Sequence, residues 1–268
     1  MPIIAVEPAI SFQLSAISKK MLTADRRILT ASIAMMIACH HPNFMPWPGL
    51  FFKGMQAEQL VLLDDVQFPL GGSWINRNRL KNDQGELWLT VPVWKRGRSF
   101  QRIDQVEICN AENWQKKHLF SLEHAYKHAP YWDEHGTFCR QIYHDTRREL
   151  LELNLAILDY LRIASGISQP FVRSSTFAIE TSGSQRLVDI CKALGAREYL
   201  TIASSHKYLD ENLFQRHGIQ IMYYKYEPPM YPQLWGDFIA NLSVLDLILT
   251  CGPKSGGLIR QAGRLVRS

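Results

Sequence analysis

The sequence predicts an α/β fold with a mainly parallel sheet, a Rossmann-like three-layer core and a helical insertion. Short apolar runs alternate with amphipathic helical segments at both ends of residues 35–268. Such continuous apolar runs are typical of parallel strands that helices cover on both faces. Between the two alternating regions, residues 111–165 carry a helical pattern. We interpret this middle segment as the insertion.

The first alternating region has the size of one βαβ unit. It contains a strand at 36–39, a proline-punctuated turn, a helix over about 48–57 and an apolar strand at 59–64. A glycine pair at 71–72 then marks a loop, and residues 87–94 alternate as an extended segment. The basic stretch at 76–85 fits a solvated loop and a ligand-binding segment equally well on composition.

The helical segment breaks at Pro130, and its last helix stops at Gly166. Strands are predicted at 171–177, 197–203 and 219–226, with helices at 184–195 and 209–217 between them. An order of β, α, β, α, β implies parallel pairing through right-handed crossovers.

Composition and charge limit the function classes. Of the 268 residues 46% are hydrophobic, which supports a folded core, and 30 basic against 25 acidic residues give a formal charge of +5. The charges are mixed along the chain, whereas a nucleic-acid footprint gathers basic residues on one face. Residues 28–39 are apolar but shorter than the about 20 residues that span a bilayer. We therefore expect neither nucleic acid nor membrane as a partner.

Two further expectations concern compartment and domain organisation. The five cysteines are widely spaced and form no CxxC pair, so we expect reduced thiols, no metal site and a cytoplasmic location. Residues 1–34 are expected to be a mobile N-terminal extension, and residues 35–268 a single α/β domain with the insertion at about 111–165.

Polar residues follow three of the predicted strands. In open α/β sheets, ligands bind beyond the carboxyl ends of the strands, where the strand order switches. We therefore expect three clusters to converge at one edge. The clusters are His40, His41 and Asn43; Asp64, Asp65 and Gln67; and residues 204–208, which include Ser205, Lys207 and Tyr208.

Candidate roles follow from residue chemistry, and each has an ordinary structural alternative. At a strand end, His40 suits a general base, although a histidine hydrogen-bonded in the core is equally plausible. Adjacent Asp64 and Asp65 point to opposite faces of an extended chain, so we expect only one of them to enter the site. Ser205 and Lys207 suit a phosphate clamp or ordinary turn chemistry.

The basic stretch supplies a second set of candidates. Arg77 and Asn78, with Lys81, offer planar or cationic groups that suit a carboxylate or a phosphate. The motifs GxSxG, GxGxxG and the P-loop are absent, so the sequence does not indicate a standard hydrolase, dinucleotide or kinase site. No cofactor is expected.

Five ordered blocks resemble the WbqC-like family. They are HHPNFMPWPGLFFKG, LDDVQF, WINRNRLKNDQGELWLTVPV, LGAREYLTIASSHKYLD and NLSVLDLILTCGP, and they cover about residues 36–253. The resemblance implies an association with bacterial surface-polysaccharide (O-antigen) and natural-product biosynthesis. It also implies glycine or other aminoacyl transfer to an amine. A weaker similarity to the nucleotidylyltransferases with a HIGH motif lacks the HxGH spacing and is a fold-level analogy only.

Seven residues match motif positions of the family: His40, Pro42, Asp65, Gln67, Arg77, Asn78 and Tyr208. Two departures bear on the substrate. The second position of the opening motif, commonly Gln in the family, is His41 here. The loop after REYL, commonly glycine-rich, is the segment 201–207.

The leading hypothesis is a transferase that forms an amide on an amine of a sugar or specialised metabolite. In it His40 is the base, Asp65 orients the base or the nucleophile, and Arg77 and Asn78 hold an anionic group. The expected partners are a small-molecule substrate and an acyl or aminoacyl carrier protein, and a homodimer is the candidate oligomer. The alternatives are a nucleotide-using ligase or nucleotidylyltransferase, with Ser205, Lys207 and His40 on phosphates, and a non-catalytic binding protein.

Overall fold

The computed structural model of the chain describes residues 34–69, 71–98 and 100–266. Residues Met35–Ser268 form one compact unit. The predicted N-terminal extension at 1–34 lies, except for Ala34, outside the described residues.

Most strands belong to one twisted sheet, and the others form a separate hairpin. The strands are β1 (Met36–His40), β2 (Gln59–Leu62), β3 (Arg77–Asn82), β4 (Gly85–Thr90), β5 (Val172–Arg173), β6 (Glu198–Ile202), β7 (Gln220–Tyr226) and β8 (Gly263–Val266). The helices are α1 (Pro48–Gln56), α2 (Trp114–Tyr126), α3 (Trp132–His144), α4 (Leu150–Ala164), α5 (Gly183–Ala193), α6 (Glu211–Arg216), α7 (Val244–Cys251) and α8 (Ser255–Gln261).

The six-stranded sheet runs in the order β5-β2-β1-β6-β7-β8. Pairing is parallel except between β7 and β8, which are antiparallel. The chain builds outward from β1 through β2 and β5, and then returns to the other side of β1 with β6. The strand order therefore switches between β1 and β6, which is where ligands bind in open α/β sheets.

Alternate residues of β1 are buried in two different cores. Ile37 and Cys39 pack with α5 and α6 on one face. Ala38 packs on the other face, in the larger core that contains α1, α7 and the apolar sides of α2, α3 and α4. Because helices cover both faces, the strands need no polar side, and this explains their continuous apolar sequence. The predicted three-layer α/β fold class is confirmed.

The structure corrects three details of the predicted elements. The basic stretch at 76–85 is not a solvated loop, because Arg77–Asn82 forms β3 and pairs with β4 in an antiparallel hairpin. The predicted strand at 171–177 is a strand only at Val172–Arg173, after which the chain forms a 3₁₀ turn at Ser174–Phe177. The polar segment after β6 is also a 3₁₀ turn, Ala203–Tyr208.

The C-terminal region holds elements that were not predicted. These are helix α7, helix α8 and strand β8 at the edge of the sheet. Every residue of helix α7 except Thr250 is buried, so the helix has no polar side that faces solvent. None of the described helices is long and apolar enough to cross a membrane.

Helix α4 fastens two loops near the carboxyl end of β1. Asn154 is fully buried, and its Nδ2 donates hydrogen bonds to the carbonyl oxygens of Pro42 and Ile75, both at 2.7 Å. Pro42 follows β1, whereas Ile75 precedes β3. The insertion thus holds these loops together through one amide group.

Replacement of Asn154 by alanine is expected to destabilise the protein strongly. The change leaves two carbonyl acceptors without their donor, and each unsatisfied buried group costs about 1–3 kcal/mol. We expect the free energy of unfolding to fall by about 2–5 kcal/mol in urea denaturation. Asn212→Ala, at an exposed position of α6, is the control and should change it by less than about 0.5 kcal/mol. Equal stability of the two variants would contradict this account.

Candidate functional site

A cavity of about 550 Å³ opens at the carboxyl end of β1. Three chain segments line it: the β1–α1 loop, the segment that leads into β3, and the loop before α7. The lining residues are His40, His41, Asn43, Trp47, Pro69, Gly72, Ser73, Trp74, Ile75, Asn78, Arg79 and Asn241. Its volume lies in the range of small-molecule sites, and it lies at the carboxyl end of β1, one of the two strands between which the order switches.

His40 is half-buried at the end of β1, and one of its ring nitrogens is engaged. Nδ1 lies 2.9 Å from the carbonyl oxygen of His41. A carbonyl only accepts, so Nδ1 carries the proton, and in the neutral ring Nε2 is the basic nitrogen. Burial, together with the positive charge of Lys53, holds the pKa of His40 well below its usual range. His40 is therefore a neutral base at neutral pH.

Lys53 supplies that charge from a buried position on α1. Its Nζ donates a 2.6 Å hydrogen bond to the carbonyl oxygen of Cys39, the residue before His40. Burial lowers the pKa of Lys53 to about 8, so the group is still mostly protonated at pH 7. Among the described residues it has no carboxylate partner within salt-bridge distance. A buried cation of this kind disfavours a second positive charge on His40.

Asn78 holds the loop that follows His40. It is buried, and its Nδ2 donates to the carbonyl oxygens of Phe44 and Met45, while its Oδ1 accepts from the backbone of Arg79. Met45 is buried with a φ of 42°, a left-handed conformation that costs energy for a bulky side chain. The hydrogen bonds from Asn78 secure this strained turn. Asn78 lines the cavity, but its side-chain amide makes its hydrogen bonds to the protein backbone.

Asn43 and Ser73 offer polar atoms to the cavity. Asn43 is 8% exposed, and within the described chain its side chain makes no hydrogen bond. The hydroxyl of Ser73 accepts from the backbone of Ile75 at 3.1 Å, which leaves its own proton available. A buried amide beside a ligand cavity gains a partner when a ligand binds.

Trp47 forms the wall where α1 begins. Its ring packs edge-on against Tyr226 and lies over Gly49. A Cβ at Gly49 would lie only 2.4 Å from ring atoms of Trp47. The glycine is therefore required for this position of the indole.

An exposed group, which we call the rim stack, stands beside the cavity and consists of Trp74, Trp88 and Arg77. The two indoles stack with centroids 5.6 Å apart, and the Arg77 guanidinium lies 4.5 Å from the Trp88 ring. Trp74 itself lines the cavity. On the same hairpin, Arg79 pairs with Glu86, which also accepts a hydrogen bond from Trp88.

The predicted residues after β2 lie outside the cavity lining. Asp65 is paired with Arg186, and both side chains are 8% exposed. It also accepts a hydrogen bond from Ser174. Asp64 binds the segment after β5 through Arg173 and Ser175. In the described chain the hydrogen bond that positions His40 comes from the His41 carbonyl, and Asp65 makes none with it. A catalytic role for Asp65 stays a prediction.

The remaining predicted residues lie in three separate places. Lys81 is buried away from the cavity, where its ammonium binds Gln233 and the carbonyl of Asp237. Exposed Gln67 forms an isolated bridge with Arg102. Ser205, Lys207 and Tyr208 lie in the turn after β6, and Lys207 stands over the ring of exposed Tyr208. None of these residues lines the cavity.

Sequence reasoning missed Lys53, Ser73, Trp74 and Arg79 as parts of the site. Lys53 had a signal, since it is a lone charge in the apolar helix segment PGLFFKGMQ. The others come from a segment that becomes a cavity wall only when β3 and β4 pair. No group of three or more potential metal ligands occurs in the described residues.

Comparison with known proteins identifies the family. The model of the WbqC-like protein family matches residues 41–257, most of the chain. This chain belongs to the WbqC-like protein family. Its cavity is built largely from the first and third of the blocks that carry the resemblance.

A relative of this WbqC-like protein occurs in Mycobacterium tuberculosis (strain ATCC 25618 / H37Rv). The two sequences are 31% identical over 226 residues, which is 84% of this chain and 97% of the relative, called uncharacterized protein Rv1507c. No solved structure matches the chain.

The electrostatics of this WbqC-like site can be tested by nitrogen NMR. We expect His40 to carry its proton on Nδ1 and to stay neutral as the pH falls through 6.5, becoming protonated only well below it. Lys53→Met should raise the pKa of His40 because it removes a nearby positive charge. Lys53→Arg, which keeps the charge, should leave it low.

Stability changes with pH in the direction set by the same shift. Below about pH 6.5 the unfolded chain binds a proton at this histidine while the folded protein does not, so acidification destabilises the fold. Lys127→Met, at an exposed lysine, is the control. A His40 pKa of 6.5 or above would refute the assignment of His40 as a neutral base. A His40 pKa that Lys53→Met leaves unchanged would refute the role given to Lys53.

Proposed function

We propose that this protein is an acyl or aminoacyl transferase that forms an amide on an amine of a sugar or specialised metabolite. The observation that carries the proposal is the neutral His40 imidazole at the cavity. Its Nε2 accepts no hydrogen bond from the described residues, and its Nδ1 is held by a backbone carbonyl. This is the arrangement of a general base.

The base acts on the attacking amine. The amine nitrogen attacks the carbonyl carbon of a thioester donor, and His40 Nε2 takes the proton that the nitrogen loses. A carbon–nitrogen bond forms, the carbon–sulfur bond breaks, and the proton passes from His40 to the departing thiolate. The pKa of His40 is low, so the imidazole is a weak base that is present in its active form throughout the neutral range.

Two neighbouring groups suit the charge that develops in this reaction. The carbonyl oxygen becomes negative in the tetrahedral intermediate, and fixed donors in a secluded site stabilise such an oxyanion. Asn43 Nδ2 and the Ser73 hydroxyl are two of the donors that the cavity offers. The Asn78 hydrogen bonds to Phe44 and Met45 hold the loop that carries Asn43.

The family resemblance supports the same reaction class. It implies aminoacyl transfer to an amine in surface-polysaccharide or natural-product biosynthesis. The nucleotide-using alternative needs Ser205 and Lys207 to share phosphates with His40, and the turn that carries them is not part of the cavity lining. The geometry favours the transferase.

The proposal is tested by mass spectrometry of the purified protein with a panel of acyl and aminoacyl thioesters, free and carrier-bound, and of amino sugars. The expected product has the mass of donor plus acceptor less the thiol. His40→Asn should reduce turnover by about 10²–10⁴-fold while donor binding is kept, because only proton transfer is lost.

His128→Asn is the matched control. It makes the same exchange at an exposed histidine that does not line the cavity, so turnover should stay within about threefold of the parent. Undiminished turnover in His40→Asn would exclude the base assignment. Failure of the parent protein to form any amide with the panel would count against the transferase.

A further inference from the structure

The rim stack combines ring surface and positive charge at the entrance of the cavity. Trp74 and Trp88 are 49% and 40% exposed, whereas tryptophan is on average largely buried. A Cβ placed on Gly72 would lie 3.4 Å from Arg77 Cζ, so the guanidinium rests against a backbone segment that lines the cavity. The stack and the cavity are therefore adjoining parts of one surface.

The charge at this surface is unbalanced. The guanidinium of Arg77 makes no hydrogen bond or ion pair with any described residue. None of the residues that line the cavity is acidic. Arg79, the cationic lining residue, is neutralised in part by Glu86. Its Nε is buried without a partner in the described chain. The unsatisfied donors are guanidinium groups, which favour phosphate and carboxylate oxygens.

We infer that the rim stack binds the nucleoside diphosphate part of a nucleotide-linked acceptor. The base stacks on Trp74, the diphosphate lies at Arg77, and the amine-bearing sugar extends toward His40. Exposed indole faces bind bases through stacking, and an unpaired arginine binds phosphates. This inference rests on the proposed function, and it names the substrate class for the same site.

Calorimetric titration with UDP, TDP, GDP and ADP tests the inference. At least one of them is expected to bind tightly enough to measure, and both the parent nucleoside and inorganic pyrophosphate should bind at least 10-fold more weakly. Trp74→Ala should weaken diphosphate and nucleoside binding by about 10-fold or more, because it removes the stacking surface. Arg77→Gln should weaken diphosphate binding by about 10- to 100-fold and leave nucleoside binding unchanged.

Matched controls separate the site from the surface in general. Trp94, 47% exposed, lies outside the cavity lining, and Trp94→Ala should not change binding. Arg216→Gln, on the exposed side of α6, is the arginine control. Circular dichroism establishes that each variant is folded.

The inference is overturned if no nucleoside diphosphate binds the intact protein, or if Trp94→Ala weakens binding as much as Trp74→Ala does. It is equally overturned if a free amino sugar, without nucleotide, binds through Trp74. Amide formation on a free amine without nucleotide binding would overturn this inference and leave the transferase standing. Nucleotide binding without amide formation would support the nucleotide site and count against the transferase.

Discussion

The site depends on two buried asparagine side chains that hold the loop after β1. Asn154 donates to the carbonyls of Pro42 and Ile75, and Asn78 donates to those of Phe44 and Met45. These carbonyl groups are interior to the protein, where an unpaired acceptor is costly. The amides come from different elements, α4 and β3. The helical insertion, the hairpin and the sheet therefore meet at one loop, and residues of that loop line the cavity.

The electrostatic design follows from that arrangement. A buried ammonium at Lys53 binds the last carbonyl before His40, and its charge favours the neutral imidazole. Asp64 and Asp65 follow β2, the strand next to β1, but their carboxylates pair with Arg173 and Arg186. These two carboxylates are thus neutralised by arginines outside the cavity lining. Among the described residues, the cavity has cationic and neutral groups and no carboxylate in its lining.

Much of the fold could be predicted from the sequence. Continuous apolar strands separated by helices predict a parallel sheet, because a strand covered on both faces has no polar side to display. The hairpin was missed, since β3 is rich in arginine, asparagine and lysine. The donors on its buried Lys81 and Asn78 side chains are satisfied by partners distant in sequence. Helix α7 was missed for another reason, because a short apolar run that is almost wholly buried cannot be distinguished from a strand by its pattern.

The part of the candidate site that directly follows a central strand could be predicted from the sequence. The end of a central strand led to His40 and Asn43, which line the cavity, whereas the residues after β2 and β6 do not line it. Two strands can end at the same edge of a sheet while their loops contact different elements. Asp65, after β2, forms its ion pair with Arg186 of α5. Trp74 and Arg79 are tied to segments distant in sequence, because the Trp74 carbonyl accepts from the backbone of Phe44 and Arg79 donates to the carbonyl of Ala240. No local sequence pattern indicates such contacts.

Gly49 affects the shape of this cavity, although it is not one of the lining residues. The Trp47 ring occupies the space where a side chain at position 49 would begin. A single added methyl group there would displace the indole, so the cavity wall that Trp47 forms would not keep its present shape.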